Sequence, residues 1–221
     1  MPQVSRIRPA GRREDLRAVT LAGGRRFLLE TEQVDGLGLS PDAQVDEALV
    51  RRLATLDERI RAREAALTLL RYRLRSRKEL TARLNRRSFP APVIQEVLAD
   101  LAARGMVDDA RFARAWAEHR ALGQNGPQRV RAELRAKGVA PLEIEEAVRA
   151  VFGGREAELA AALVERHVRR LGSLPTEVGL RRLAGLLRRR GFSGSVIAPL
   201  LRARIRSGRG ADLAHDLPEG P

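Results

Sequence analysis

Basic residues are the part of this sequence best equipped for chemistry, and they come in clusters. Between Arg71 and Arg87 stand Arg71, Arg73, Arg75, Arg77, Lys78, Arg83, Arg86 and Arg87, with Glu79 as the one acid. Between Leu180 and Arg206 stand Arg181, Arg182, Arg188, Arg189, Arg190, Arg202, Arg204 and Arg206, with no acid. A middle cluster, Arg129, Arg131, Arg135 and Lys137, is followed by Glu143, Glu145 and Glu146. Lys plus Arg total 42 against 28 Asp plus Glu, a net charge of +14. Arginine predominates, and its guanidinium meets carboxylates and phosphates through paired hydrogen bonds. The excess therefore points to an acidic partner: nucleic acid, an anionic membrane or an acidic protein surface. A solvated helix face is the bland alternative. Like charges one turn apart repel mildly, however, and few acids interleave here to relieve them.

Other chemistry finds no set of residues. There is no Gly-rich phosphate loop ending in Lys-Ser/Thr and no Gly-x-Gly-x-x-Gly turn opening a helix. His119, His167 and His215 are not spaced as metal ligands. The chain has no cysteine, which removes thiolate chemistry and disulfides. Asp108-Asp109 reads as a helix cap with a favourable charge at the dipole's positive end rather than as a metal pair. Trp116, beside Phe112, reads as core. The expectation is a non-enzyme with no cofactor and no metal. No apolar run approaches the roughly 18 residues of a membrane span, and Met1 to Arg13 lacks a signal-peptide core. A cytoplasmic protein is expected.

The elements that would position the cations are helices. With only seven aromatic residues, a core must come from Leu, Val, Ile and Ala, which favours small helical units. Residues 1–14 are rich in Pro, Gly and Arg and read as a flexible basic arm. Two short apolar runs, Leu16 to Leu21 and Arg25 to Leu29, flank Gly23-Gly24 and predict a β-hairpin. Short helices follow, one ended by Gly36 and Gly38, another with Ser40 as N-cap and Pro41 in its first position. The hairpin and these helices make up 15–56, and from about Asp57 the pattern is helical. The first long helix is expected over Glu58 to Leu74. Ser76 and Glu79 form a capping box for the next, and a third begins after Pro90 and ends at Gly105.

This three-helix unit recurs. A shift of 50 residues takes Leu80 to Val130, Leu84 to Leu134, Ser88 to Gly138, Ile94 to Ile144 and Leu98 to Val148. A further shift of 53 takes Gly126 to Gly179, Val130 to Leu183, Leu134 to Leu187, Gly138 to Gly191 and Ile144 to Ile197. Any Leu-rich helical chain can be laid on itself, but here the breaks at Ser88, Gly138 and Gly191 coincide too. The organisation read from this is repeat 1 over 57–107, repeat 2 over 108–153, repeat 3 over 154–206 and a disordered tail over 207–221. The fold class is mainly α: three tandem helix-turn-helix-like repeats in an elongated curved array, with a short N-terminal hairpin.

Three segments carry a family resemblance. Gly105-Met106-Val107-Asp108-Asp109-Ala110-Arg111-Phe112-Ala113 resembles the RecX family's motif of the same pattern, with Met106 where an aromatic is usual. Gly126, Pro127, Arg129, Val130, Glu133, Leu134, Lys137, Gly138 and Val139 resemble its Gly-Pro-x-Arg segment. Ser76, Glu79, Leu80 and Leu84 resemble its upstream element. The matches run in order over roughly 58 to 152. The resemblance implies an inhibitor of RecA that binds the groove of the RecA–DNA filament. It would limit filament extension, ATPase and strand exchange, as part of recombination, repair and the SOS response. It also implies that Ser76, Glu79, Leu80, Gly105, Asp108, Asp109, Arg111, Phe112, Gly126, Pro127, Glu133, Leu134 and Gly138 are mainly structural. Contact is then expected from Arg71, Arg73, Arg75, Arg77, Lys78, Arg83, Arg86, Arg87, Arg129, Arg131, Arg135, Lys137, Arg181, Arg182, Arg188 and Arg189. The other reading is a basic helix-turn-helix-like protein that regulates by binding DNA directly. Weak, non-specific affinity for single- and double-stranded DNA, no membrane partner and a monomeric state are expected.

Overall fold

The computed structural model describes residues 2–11, 13–171 and 176–215, with side chains at all of these except 169–171, 176 and 207–215. Three strands come first: β1 (Val4–Ala10), β2 (Arg13–Leu21) and β3 (Arg26–Glu30). The helices among the described residues are α1 (Thr31–Gly36), α2 (Glu47–Tyr72), α3 (Arg77–Asn85), α4 (Ala91–Ala103), α5 (Asp109–Leu122), α6 (Pro127–Ala136), α7 (Pro141–Phe152), α8 (Glu156–Leu171), α9 (Thr176–Arg190) and α10 (Gly194–His215). The chain divides into two units, residues 1–107 and 108–221. The first contains the sheet and repeat 1 (α2–α4). The second contains repeat 2 (α5–α7) and repeat 3 (α8–α10).

The recurring breaks are one backbone device used three times. Ser88, Gly138 and Gly191 adopt positive φ of 62°, 78° and 88°. At each, the following residue donates its amide five residues back: Phe89 to Leu84, Val139 to Leu134 and Phe192 to Leu187, at 3.4, 3.2 and 3.1 Å. A left-handed residue closing the helix this way turns the chain while satisfying its last carbonyls. Glycine takes that conformation without strain, and Ser88 takes it at some cost. The aligned core positions are buried alike: Leu84, Leu134 and Leu187 at 0%, and Ile94, Ile144 and Ile197 at 1, 1 and 4%.

Four of the sequence expectations give way in the structure. Residues 1–14 are not a flexible arm. β1 pairs antiparallel with β2, which pairs antiparallel with β3, so the hairpin is part of a three-stranded sheet. Val4, fully buried, joins Val19, Leu21, Phe27 and Leu29 under Val50 and Leu53 of α2. The exposed Arg6 and Arg8 on β1 suit a strand at the sheet's edge. Ser40-Pro41 starts a turn rather than a helix: Asp42 sits at φ 66°, and Ala43 donates to Ser40 at 3.2 Å. The first long helix begins at Glu47, capped by Asp46, whose carboxylate accepts the Leu49 amide at 2.7 Å. Asp57 therefore lies mid-helix; buried, it accepts the Leu28 amide at 2.7 Å and ties β3 to α2. Finally, α10 continues past Arg206 to His215; the rest of the expected tail, 216–221, lies outside the described residues.

Sheet and helix are also joined by charge. Arg13 bridges Asp15 at 2.8 Å and Glu64 of α2 at 2.9 Å, and Arg63 meets Glu30 at 2.6 Å. The Arg13 guanidinium holds the Asp15 carboxyl down to about 2.

Candidate polyanion-binding surface

The three second helices, α3, α6 and α9, present their cations differently. In repeat 1, Arg73 is held by Glu79 at 3.1 Å and Arg75 donates to the Leu69 carbonyl at 3.2 Å. Burial, with Arg73 and Arg83 nearby, pushes the Arg75 guanidinium below its ordinary value. Arg77 and Lys78 have further interactions. Arg71 lines a cavity of about 620 Å³ with Arg13, Glu64, Asp100 and Arg104. Arg83, Arg86 and Arg87 are exposed and form no ion pair among the described residues.

Repeat 2 pairs Arg129 and Arg131 of its own cluster with acids. Glu133 accepts Arg120 Nε at 2.6 Å and Nη2 at 2.9 Å, Arg129 Nε at 3.0 Å and the Trp116 indole N–H at 2.9 Å. Burial opposes ionisation of Glu133, yet the hydrogen bonds from Arg120, Arg129 and Trp116 outweigh it and hold the carboxyl below the usual range. Arg131 is clasped by Glu145 of α7 at 2.9 Å, and its hydrogen bonds lower the Glu145 carboxyl as well. Lys137 lies 4.1 Å from the Trp116 ring centre, with Arg120 at 4.8 Å. Trp116 is therefore neither plain core nor an open platform. It is half-buried, 5.9 Å from Phe112 and faced by cations. Of the cations expected on α6, Arg135 is exposed without an ion pair among the described residues.

Sequence reasoning missed Arg120, which occupies Glu133, and named Glu145 only as one of three acids after the cluster, without its pairing to Arg131. Arg129 and Glu133, four apart on a helix, were a readable pair. Arg131 and Glu145 meet across a turn, and no local spacing announces them.

The start of α6 is occupied too. Gly126 and Gln128 donate their amides to the carbonyls of Arg190 and Gly191 at 2.7 and 3.0 Å. Orphan donors of one helix thus meet orphan acceptors of another, and the anion-binding potential of that N-terminus is used internally. The approach needs both glycines. A Cβ on Gly126 would collide with the Gly191 carbonyl, and one on Gly191 would stand 2.5 Å from Arg129 Cβ.

Repeat 3 keeps its charge open. Arg181, Arg182, Arg188 and Arg189 of α9 are exposed and form no ion pair among the described residues. Beside them, a cavity of about 550 Å³ is lined by His167, Val178, Arg181, Arg182, Leu183, Gly185, Leu186 and Arg189.

Several motif residues act as caps, turns and core. Ser76 accepts the Glu79 amide at 3.2 Å and Asp108 that of Arg111 at 2.9 Å; Gly105 has φ 67°, and Leu80, Phe112 and Leu134 are buried. Among the described residues, no group of three or more His, Asp or Glu side chains could hold a metal ion, and no helix is long and apolar enough to cross a membrane.

Comparison with known proteins agrees with this architecture. Residues 62–101 match the model of the RecX first three-helix domain, and 108–148 that of the second. The chain is 38% identical over 160 residues to the regulatory protein RecX of Thermobifida fusca (strain YX), covering 72% of this chain and 86% of that one. It is 36% identical over 160 residues to the regulatory protein RecX of Streptomyces coelicolor, covering 72% and 85%. A crystal structure of regulatory protein RecX shares the fold, with a TM-score of 0.75 and 24% identity over 90% of this chain and 98% of that one. With its own sheet and three helical repeats, this chain belongs to the RecX family of regulatory proteins.

Proposed function

We propose that this chain inhibits RecA by lying in the groove of the RecA–DNA filament, where it limits filament extension, ATPase and strand exchange. The observation that carries this reading is the set of unpaired guanidinium groups on and just after equivalent second helices, Arg83 on α3 with Arg86 and Arg87 in the turn that follows it, and Arg181, Arg182, Arg188 and Arg189 on α9. A filament repeats acidic protein and phosphate surfaces along its length, so several weak basic contacts on one chain add through effective concentration. The chain would act as a monomer in the cytoplasm, without catalysis of its own.

The test is RecA's DNA-dependent ATPase, measured at fixed salt with the full chain below one molecule per RecA. Substoichiometric inhibition is expected, and the triple change Arg83→Glu, Arg86→Glu, Arg87→Glu should weaken it at least tenfold with helicity unchanged. No inhibition at equimolar protein would sink the reading. Arg131→Glu is a poor probe, because it would set two carboxylates together beside Glu145.

A further inference from the structure

In repeat 2 the corner between first and second helix is filled from within. Trp116 supplies a flat ring faced by Arg120 and Lys137, and Glu133 supplies an anion held by Arg120 and Arg129. Repeat 3 has the same corner without either occupant. The 53-residue shift that aligns the cores takes Gln128 to Arg181, Ala132 to Gly185, Glu133 to Leu186 and Ala136 to Arg189. Trp116 is the chain's single tryptophan, so repeat 3 carries no indole, and His167 of α8 lines its corner.

The result is the cavity between α8 and α9, which has cations at its sides, Val178 and Leu186 among its apolar lining, and no acid among the described residues. Gly185 helps to shape it. Arg189 Nη1 would be only 3.1 Å from a Cβ at that position, so the guanidinium lies back along the helix over a residue with no side chain. His167 uses Nδ1 on the Leu163 carbonyl at 3.1 Å.

We propose that this groove of repeat 3 binds a nucleotide unit of single-stranded DNA. The base lies on Val178 and Leu186, and the flanking phosphates meet Arg181, Arg182 and Arg189. Repeat 2 shows what this corner accommodates: a flat π system and an anion together, between cations. A nucleotide carries both in one unit, whereas a run of acidic residues without an aromatic brings the anion alone. In a duplex the bases stay stacked and only phosphates are offered. The volume is in the range of roughly 300–1,000 Å³ typical of small-ligand sites. The proposal rests on the filament reading for its setting, since the filament brings the chain to DNA, but the binding itself needs no RecA.

The experiment uses the full chain and a labelled oligothymidylate, beside a strand of equal length and charge whose central nucleotides are abasic. Fluorescence anisotropy at fixed salt should show the base-bearing strand binding about five- to tenfold tighter, in keeping with the lower end of the stacking of one base. Leu186→Glu, which installs the acid of repeat 2, should remove that preference. So should Arg181→Gln with Arg189→Gln, a change confined to exposed side chains that leaves the fold intact. Equal binding of the two strands by the unaltered chain, or a preference that survives both variants, would overturn the proposal. Thymidine monophosphate competing as well as the strand at equal nucleotide concentration would assign the groove to free nucleotides and overturn the strand. Polyglutamate displacing both strands alike, with no base preference, would assign it to acidic protein. The ATPase assay on the α3 variants does not depend on this groove, so the two readings fail separately.

Discussion

In repeat 2, Glu133 stands four residues after Arg129 and gathers Arg129, Arg120 and Trp116 around one carboxylate; at the matching place repeat 3 has Leu186. Arg131 of repeat 2 finds Glu145, while its counterpart in repeat 3 is Ala184. The cores of the two repeats are nearly interchangeable, and their second helices are not. Repeat 2 spends Arg120, Arg129 and Arg131 on its own fold and on its junction with repeat 3, whereas repeat 3 leaves Arg181, Arg182, Arg188 and Arg189 facing solvent. A duplicated unit can keep one buried pattern and divide its surface work, because burial fixes only a few positions per helix.

The largest expected effect lies where the two repeats meet. Gly191→Ala places a Cβ 2.5 Å from both the backbone nitrogen and Cβ of Arg129, at a φ of 88°. Backbone cannot yield as a side-chain end can, so a loss of about 3 kcal/mol or more is expected from clash and strain together. Gly154→Ala is the control: it has φ 73° but open space around it, so only the conformational cost of about 1–2 kcal/mol applies. Urea midpoints of the two variants measure the difference. Equal midpoints would mean that the repeats are not held by this contact.

Next comes Glu133→Gln, which leaves Arg120 and Arg129 without their shared counter-charge. A loss of about 1–2 kcal/mol at pH 7 is expected, moderated because the group is partly exposed. The sign with pH follows from the direction of the shift. The folded carboxyl titrates below its ordinary 4.5, so its stabilisation is complete above that value and is lost as pH falls below it toward the folded value. The midpoints of parent and variant should therefore differ at pH 7 and draw together at an acid pH below 4.5. Asp15 and Glu145 are lowered in both proteins and cancel in the comparison. A gap unchanged between the two pH values would show that Glu133 works by packing rather than by charge.

How much of this was legible depended on the range of the interaction. The repeats could be read because Leu80, Val130 and Leu183 recur with the same offset to a break, and that break is a local backbone event. The strand β1 escaped notice because an edge strand needs little apolar material: Val4 is buried, but Arg6 and Arg8 are exposed and Pro9 sits in the ladder opposite Arg17. The start of α2 was missed although Asp46 offered a cap and Val50 and Leu53 a buried stripe. The basic clusters were visible as composition, but their fates were not. Arg131 and Arg182 look alike in a sequence, and only the fold brings Glu145 to the first and leaves the second bare.

The smallest expected effect is the sharpest test of that difference. Arg129 and its counterpart Arg182 occupy the same position on α6 and α9, yet only Arg129 has a carboxylate, at 3.0 Å, and a contact from Nη1 to the Arg189 carbonyl at 3.5 Å. Arg129→Gln should cost about 0.5–1 kcal/mol. Arg182→Gln should change stability by less than about 0.5 kcal/mol, and in the stabilising direction at low salt, since it relieves repulsion among Arg181, Arg182 and Arg189. Raising the salt should erase that gain, because exposed charges are screened beyond about 10 Å at 0.1 M. Thermal melts of both variants at low and moderate salt decide the matter. If Arg182→Gln proved as costly as Arg129→Gln, the arginines of repeat 3 would be holding their own fold, and a surface so occupied would have little charge left for a filament or a strand of DNA.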